Sequence, residues 1–340
     1  MKIVDLSPTQ EILEYTNWSG VFHAYGVATD TPQHLRALLG NDERAIAEAL
    51  EHLFVATTHQ GDYYPAAEPA ALFVIAALDE LNPQEIFYEQ LRSDLLDWLR
   101  FAGESFYGKP HAAHEVITQL LNLKFTSPTD YLELTRVLVA WTKKCQSKQL
   151  RRKVRNRLRA ELDTWLGNII RWPLIDALGT LGHSVSRYLN DPDPIVQAFA
   201  AIHTHSKKGT RTLNRSLARI TTWDPHYPVE VLRPLVCELI ARAKTIEDIL
   251  PAAVAVMRHG NFRNMEWHEL LTFACKERAS YPNAHREILK ALVENDTVWV
   301  RPRSSGLIYR LEEFGLPQTR AELRGFLTSN HQRKELTNLR

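Results

Sequence analysis

Glycine is scarce in this chain, 14 residues of 340. Folds built on tight hairpins or phosphate-cradling loops need more of it, because glycine alone enters left-handed backbone freely. The shortage points to helices. Cysteine is scarcer still: Cys145, Cys237 and Cys275 are an odd number without paired spacing, each in an apolar stretch. They exclude a disulfide framework and read as small core residues in a reducing compartment. Long apolar runs are missing too. The longest, 70–78, is far too short to cross a bilayer, and the first residues lack the apolar core of a secretion signal. The expected location is the cytoplasm, with no membrane partner. No glycine-rich phosphate loop, nucleophile elbow, His-Glu-x-x-His or paired Cys-x-x-Cys occurs. His111 and His114 stand three apart, a spacing that can ligate a metal on a helix, but no third ligand accompanies them. The expectation is a protein without catalytic residues, cofactor or metal.

What the chain does contain is a repeated grammar of helix starts. Ser127-Pro128-Thr129-Asp130 places a capping hydroxyl, then proline at the first helical position, then an acid in the first turn. The cap satisfies an open backbone N–H, proline has none to leave unpaired, and the acid opposes the positive helix end. Asn82-Pro83-Gln84-Glu85 repeats the pattern, and Thr31-Pro32 and Asp191-Pro192 echo it. Apolar stripes of helical period follow, such as Leu134, Val137, Leu138 and Trp141. Some thirteen to sixteen helices of about 10–20 residues are predicted. No convincing run of alternating strand pattern occurs, and the nearest candidate, 297–300, is short and isolated.

Two segments share a layout. Residues 40–50 and 190–201 each open on a short acidic turn and continue as a helix with closely spaced small residues. The second helix of a hairpin could pack tightly through such residues. This pattern resembles the inner turn of HEAT and armadillo repeats. A more specific likeness covers about residues 20–80. Tyr25-Gly26, Ala28, Asp30, Pro32, Leu35 and Leu38-Leu39, then His59-Gln60-Gly61, Tyr64, Ala66 and Pro69, are similar to the opening of a group of bacterial HEAT-repeat proteins. The resemblance implies an all-α fold, a right-handed α-α superhelix used for binding, with no catalytic residue to carry over. One solenoid over 1–340 is expected, with an irregular break at 101–128, where no repeat fits.

Charge is distributed unevenly. The first hundred residues hold 16 acids and five bases, whereas the remainder holds 24 acids and 36 bases. An acidic end favours a basic protein partner. The candidate contacts are Asp62, Tyr63 and Tyr64 in the segment His59-Gln60-Gly61-Asp62-Tyr63-Tyr64-Pro65, together with Asp79 and Glu80. The same segment also reads as a plain helix end, with His59 facing the negative dipole and the tyrosines packed beneath the next helix, or with Tyr64 buried and Tyr63 exposed. Among bacterial repeat proteins similar to this one, neutralising a basic, nucleic-acid-targeting toxin is a plausible role. The second candidate surface is basic. Nine bases and no acid lie between 143 and 159, and Lys148, Arg151, Arg152, Arg155 and Arg159 could meet phosphates, as in a HEAT-like DNA glycosylase. A solvated helix whose bases pair with neighbouring acids is the competing reading.

Overall fold

The structure, a computed structural model, describes residues 6–81, 88–107, 110–124, 127–164, 171–223, 229–260, 268–276, 282–299 and 305–337. The described residues form seventeen α-helices, so the chain is all-α. No described helix is long and apolar enough to cross a membrane. The start pattern at 82–85 lies outside the described residues. The chain divides into two compact units, 1–183 and 184–340.

The first unit holds α1 (Pro8–Tyr15), α2 (Thr31–Ala37), α3 (Glu43–His52), α4 (Ala67–Glu80), α5 (Tyr88–Ser105), α6 (Pro110–Leu120), α7 (Pro128–Lys144), α8 (Lys148–Leu162) and α9 (Trp172–Thr180). A two-residue antiparallel ladder, β1 (Phe22–His23) and β2 (Gly26–Val27), sits between α1 and α2. Helices pack on their next-but-one neighbours in two files, α4 with α6 and α8, α5 with α7 and α9. The stretch expected to be an irregular break is largely helical: α5 runs through Ser105 and α6 occupies 110–120.

Two fully buried indoles fasten this unit. Trp98 Nε1 donates to the Leu53 carbonyl at 3.0 Å, and Trp141 Nε1 to the Leu99 carbonyl at 2.9 Å. Each ring buries a large apolar area while its polar edge finds a partner. Gly103 makes room for the second ring, since a Cβ there would lie 2.7 Å from Trp141 Cδ1.

The second unit holds α10 (Pro194–Ile202), α11 (Lys207–Trp223), α12 (Val229–Arg242), α13 (Leu250–His259), α14 (His268–Lys276), α15 (Pro282–Glu294), α16 (Ser305–Glu313) and α17 (Arg320–Thr337). The same two files recur, α10, α12, α14, α16 and α11, α13, α15, α17. Helix α10 is buried from Pro194 to Ala201, as a helix apolar all round must be. Its one polar side chain, Gln197, donates to the Asp191 carbonyl and accepts from Ser216 Oγ at 2.9 Å.

One detail departs from the sequence expectations. Helix α10 begins at Pro194, capped by Asp193, whose carboxylate accepts from Ile195 N at 2.9 Å. The Asp191 carboxylate instead receives the Asp193 N–H at 3.1 Å, and this turn moves the start two residues beyond Asp191-Pro192. Residues Asp296–Trp299, the nearest approach to a strand pattern in the sequence, form a 3-10 turn. The cause is Asn295, which donates to the Met257 and Gly260 carbonyls at 2.9 Å each and accepts from Thr297 N.

Candidate functional site

The ladder after α1 places an apolar surface on rigid supports. Phe22 and Val27 face each other across it, so their side chains share one side, while His23 points inward and is 7% exposed. Gly26 turns the chain at φ +135°. Three backbone bonds fix the ribbon: Ala24 N to Ala56 O, Ala28 N to Val21 O, and Ala66 N to Phe22 O, at 2.9, 3.0 and 3.1 Å. Phe22 is nonetheless 52% exposed, Tyr25 65%, Val27 43% and Val55 38%. Tyr25 stands edge-on to His59, with ring centroids 5.6 Å apart. His59 Nδ1 meets the Val55 carbonyl at 3.0 Å, the helix-end contact expected for this residue. Beyond it Gln60 adopts φ +51°, the single positive value at a non-glycine among the described residues, and Gly61 follows at φ +87°. A left-handed non-glycine costs about 1 kcal/mol and persists where its surroundings impose it.

Histidines support the ribbon from beneath. The Tyr25 N–H donates to His23 Nδ1 at 3.1 Å, which leaves the ring proton on Nε2, 2.9 Å from Asp30 Oδ1. Burial pushes the Asp30 carboxyl up, but the His23 hydrogen bond and charge outweigh it and hold the group below its usual value. His52 Nε2 lies 3.0 Å from Thr31 Oγ1, and its ring stacks on His34 at 4.2 Å. Burial, then the neighbouring His34, lowers the His52 pKa to about 4. The ligand atoms of His23, Asp30 and His52 lie within 4.8 Å of one another, the described group that could hold a metal ion. Coordination through His23 Nε2 would require the ring proton to move to Nδ1, against the Tyr25 N–H. The geometry thus fits a hydrogen-bonded brace better than a ligand set. His114 lies on α6, and the side chain of His111 lies outside the described residues.

The acidic and aromatic residues singled out in the sequence do not converge. Asp62 is exposed beside His59, at the edge of the ribbon surface. Tyr63 turns inward, edge-to-face on Phe106 at 4.8 Å, whereas Tyr64 is half-buried. Neither tyrosine is exposed, so both follow the packed arrangement and Tyr63 is not the exposed one of the pair. The Tyr63 hydroxyl is buried with no hydrogen-bond partner among the described residues, and burial, with Glu68 adding, raises its pKa. Tyr63→Phe should therefore stabilise the protein by about 1 kcal/mol, since an unsatisfied buried hydroxyl is removed without loss of shape. A thermal melt reads the change, and a lower midpoint would show that the hydroxyl has a partner. Asp79 and Glu80 lie at the far end of α4, a helix about 21 Å long. Glu80 caps α1, receiving Thr9 N at 3.2 Å, Thr9 Oγ1 at 2.7 Å and Ser7 Oγ at 3.3 Å. Asp79 is exposed.

The basic set on α8 divides as well. Arg151 donates to the Cys145 and Lys143 carbonyls at 2.8 and 3.2 Å, and Arg155 to the Leu181 carbonyl at 3.2 Å. Both close open helix ends and loops. Lys148, Arg152 and Arg159 face solvent and form no ion pair among the described residues. The sequence reading did not single out Phe22, Val27, Val55 or the His23–His52 brace. The one available signal was Tyr25-Gly26, an aromatic followed by a glycine able to turn, which carried the resemblance but no role.

Comparison with protein-family models, with curated proteins and with solved structures finds no match for this chain.

Proposed function

We propose that this chain is a non-enzymatic α-helical repeat protein of the HEAT-like, right-handed superhelical type that grips a basic protein through the ribbon surface of its first unit. The next-but-one packing of helices in both units supports the repeat reading. The observation that carries the binding reading is the set Phe22, Tyr25, Val27 and Val55. These apolar side chains stay in water on a backbone fixed by one hydrogen bond within the ribbon and two to other elements, at Ala56 and Ala66. Exposed apolar groups with a polar rim mark contact sites. Rigid aromatics bind at low entropic cost, because little freedom is lost on association. The excess of acid over base in the first hundred residues selects for a basic partner. A toxin that attacks nucleic acid, held by an immunity protein, is a concrete case.

The test is affinity capture from an extract of the native host with wild type, Tyr25→Ser and, as a control, Tyr309→Ser. Tyr309 is equally exposed, at 66%, but lies in the second unit. One basic protein should be recovered, and its Kd should weaken about tenfold with Tyr25→Ser, as for a moderate hot spot. Raised salt should weaken it further. Equal retention by Tyr25→Ser and Tyr309→Ser would remove the ribbon from the interface.

A further inference from the structure

We propose that α11, in the second unit, is a binding site for the sugar-phosphate backbone of nucleic acid. This site is separate from the protein-binding surface above and does not depend on it. Helix α11 contains five bases and no acid. Lys208, Arg211, Arg215 and Arg219 recur every three or four residues and so share one face, with Lys207 beside them. All five are exposed. The other face is committed to packing: Thr212, Leu213, Ser216 and Leu217 are buried, and the helix rests on α10 and α13. The orientation of the basic face is therefore set by the core of the unit. Lys207, Lys208, Arg211 and Arg215 make no hydrogen bond or ion pair among the described residues.

This arrangement opposes the stability of the isolated helix. Like charges at i, i+4 repel, and Lys207 and Lys208 sit at the helix start, where the dipole is already positive. A bound polyanion would relieve both. The geometry favours one kind of polyanion. The cations form a straight row about 16 Å long, spaced about 4.5–6 Å, which matches a linear array of phosphates better than a scattered acidic patch. An acidic protein would call for aromatic or apolar anchors among the charges, and among its described side chains this face exposes no large apolar one. A membrane surface would need the apolar side of the helix for insertion, and that side is buried. Lysine and arginine contacts to phosphates carry no sequence information, so recognition should be independent of sequence.

The experiment is a fluorescence anisotropy titration of a labelled 20-base-pair duplex at several salt concentrations. Wild-type full-length chain is compared with Lys208→Gln/Arg211→Gln/Arg215→Gln and with the charge-retaining Lys208→Arg/Arg211→Lys/Arg215→Lys. The expected results are binding by wild type that falls steeply with salt, and a log–log salt slope shallower by about 2.7 in the glutamine variant, since each phosphate contact contributes about 0.9. The charge-retaining variant should keep the wild-type slope. Circular dichroism checks that the variants fold. Should the triple variant fail to fold, each single glutamine substitution should reduce the slope by about 0.9. An unchanged slope in the glutamine variants overturns the proposal, as does a wild type that ignores the duplex. Binding to phosphatidylserine vesicles or to polyglutamate in place of the duplex overturns it in favour of a membrane or an acidic protein.

Discussion

Gly209→Ala is expected to destabilise the second unit by about 3 kcal/mol, at the upper end of ordinary overpacking. A Cβ at this position would lie 2.0 Å from the Thr204 carbonyl oxygen and 3.3 Å from that of Ala201. Both are backbone atoms, so no side-chain rotation relieves the clash. The link between α10 and α11 would have to move, and with it the packing of the two helices. Thr204 is itself tied in place, its N–H to the Ala201 carbonyl at 3.0 Å and its hydroxyl to that of Ala200 at 2.8 Å. For a unit of this size the thermal midpoint should fall by about 6–12 °C. Ser206→Ala is the control. It removes only the cap bond to Gly209 N, 3.1 Å long, and should cost about 1 kcal/mol. A Gly209→Ala protein no less stable than the Ser206→Ala one would mean that the close approach is absent.

The second large effect is a loss of stability in acid. The His52 pKa is about 4 in the folded protein against 6.5 when solvated. Above pH 6.5 both states are neutral and the group contributes nothing. As pH falls below 6.5 the unfolded chain takes up a proton that the folded chain refuses, so stability is lost progressively down to about pH 4. Asp30, held below its usual value, acts in the same direction at still lower pH, because protonation there breaks its bond to His23. Since the His52 ring is partly exposed, the loss should be about 1–2 kcal/mol. Urea unfolding at pH 7 and pH 4.5 measures it. His52→Gln can keep a bond to Thr31 yet cannot titrate, so its pH dependence over this interval should be flatter than that of wild type. Identical pH profiles for the two proteins would exclude His52 as the source.

Much of the architecture was legible because helix signals are local. Scarce glycine, the proline-bearing starts and the apolar stripes of period 3.6 all refer to neighbours within a few residues. The stripe at Leu134, Val137, Leu138 and Trp141 is buried as its spacing implied. The start at 191–192 was misplaced by two residues because two capping aspartates stand in tandem, and only the backbone shows which one closes the helix. The described residues alone hold seventeen helices, one more than the upper expectation of sixteen.

The candidate site was much less legible. The ribbon at 22–27 has four ladder residues, too few for an alternating pattern to register, and it exists through bonds to Ala56 and Ala66, remote in sequence. Glu80 and Arg151 looked like surface charge, yet each binds a group contributed by another element. Tyr63 and Tyr64 are adjacent and chemically alike, and only Phe106 and Trp141, remote in sequence, show where the Tyr63 ring packs.

Helicity, the apolar faces and the net excess of charge along each stretch of chain follow from residue order, since each depends on nearest neighbours or on composition. What the Tyr63 ring packs on, which arginines close helix ends and which apolar residues stay in water were settled by tertiary packing. Those outcomes depend on partners that come close only when distant helices meet.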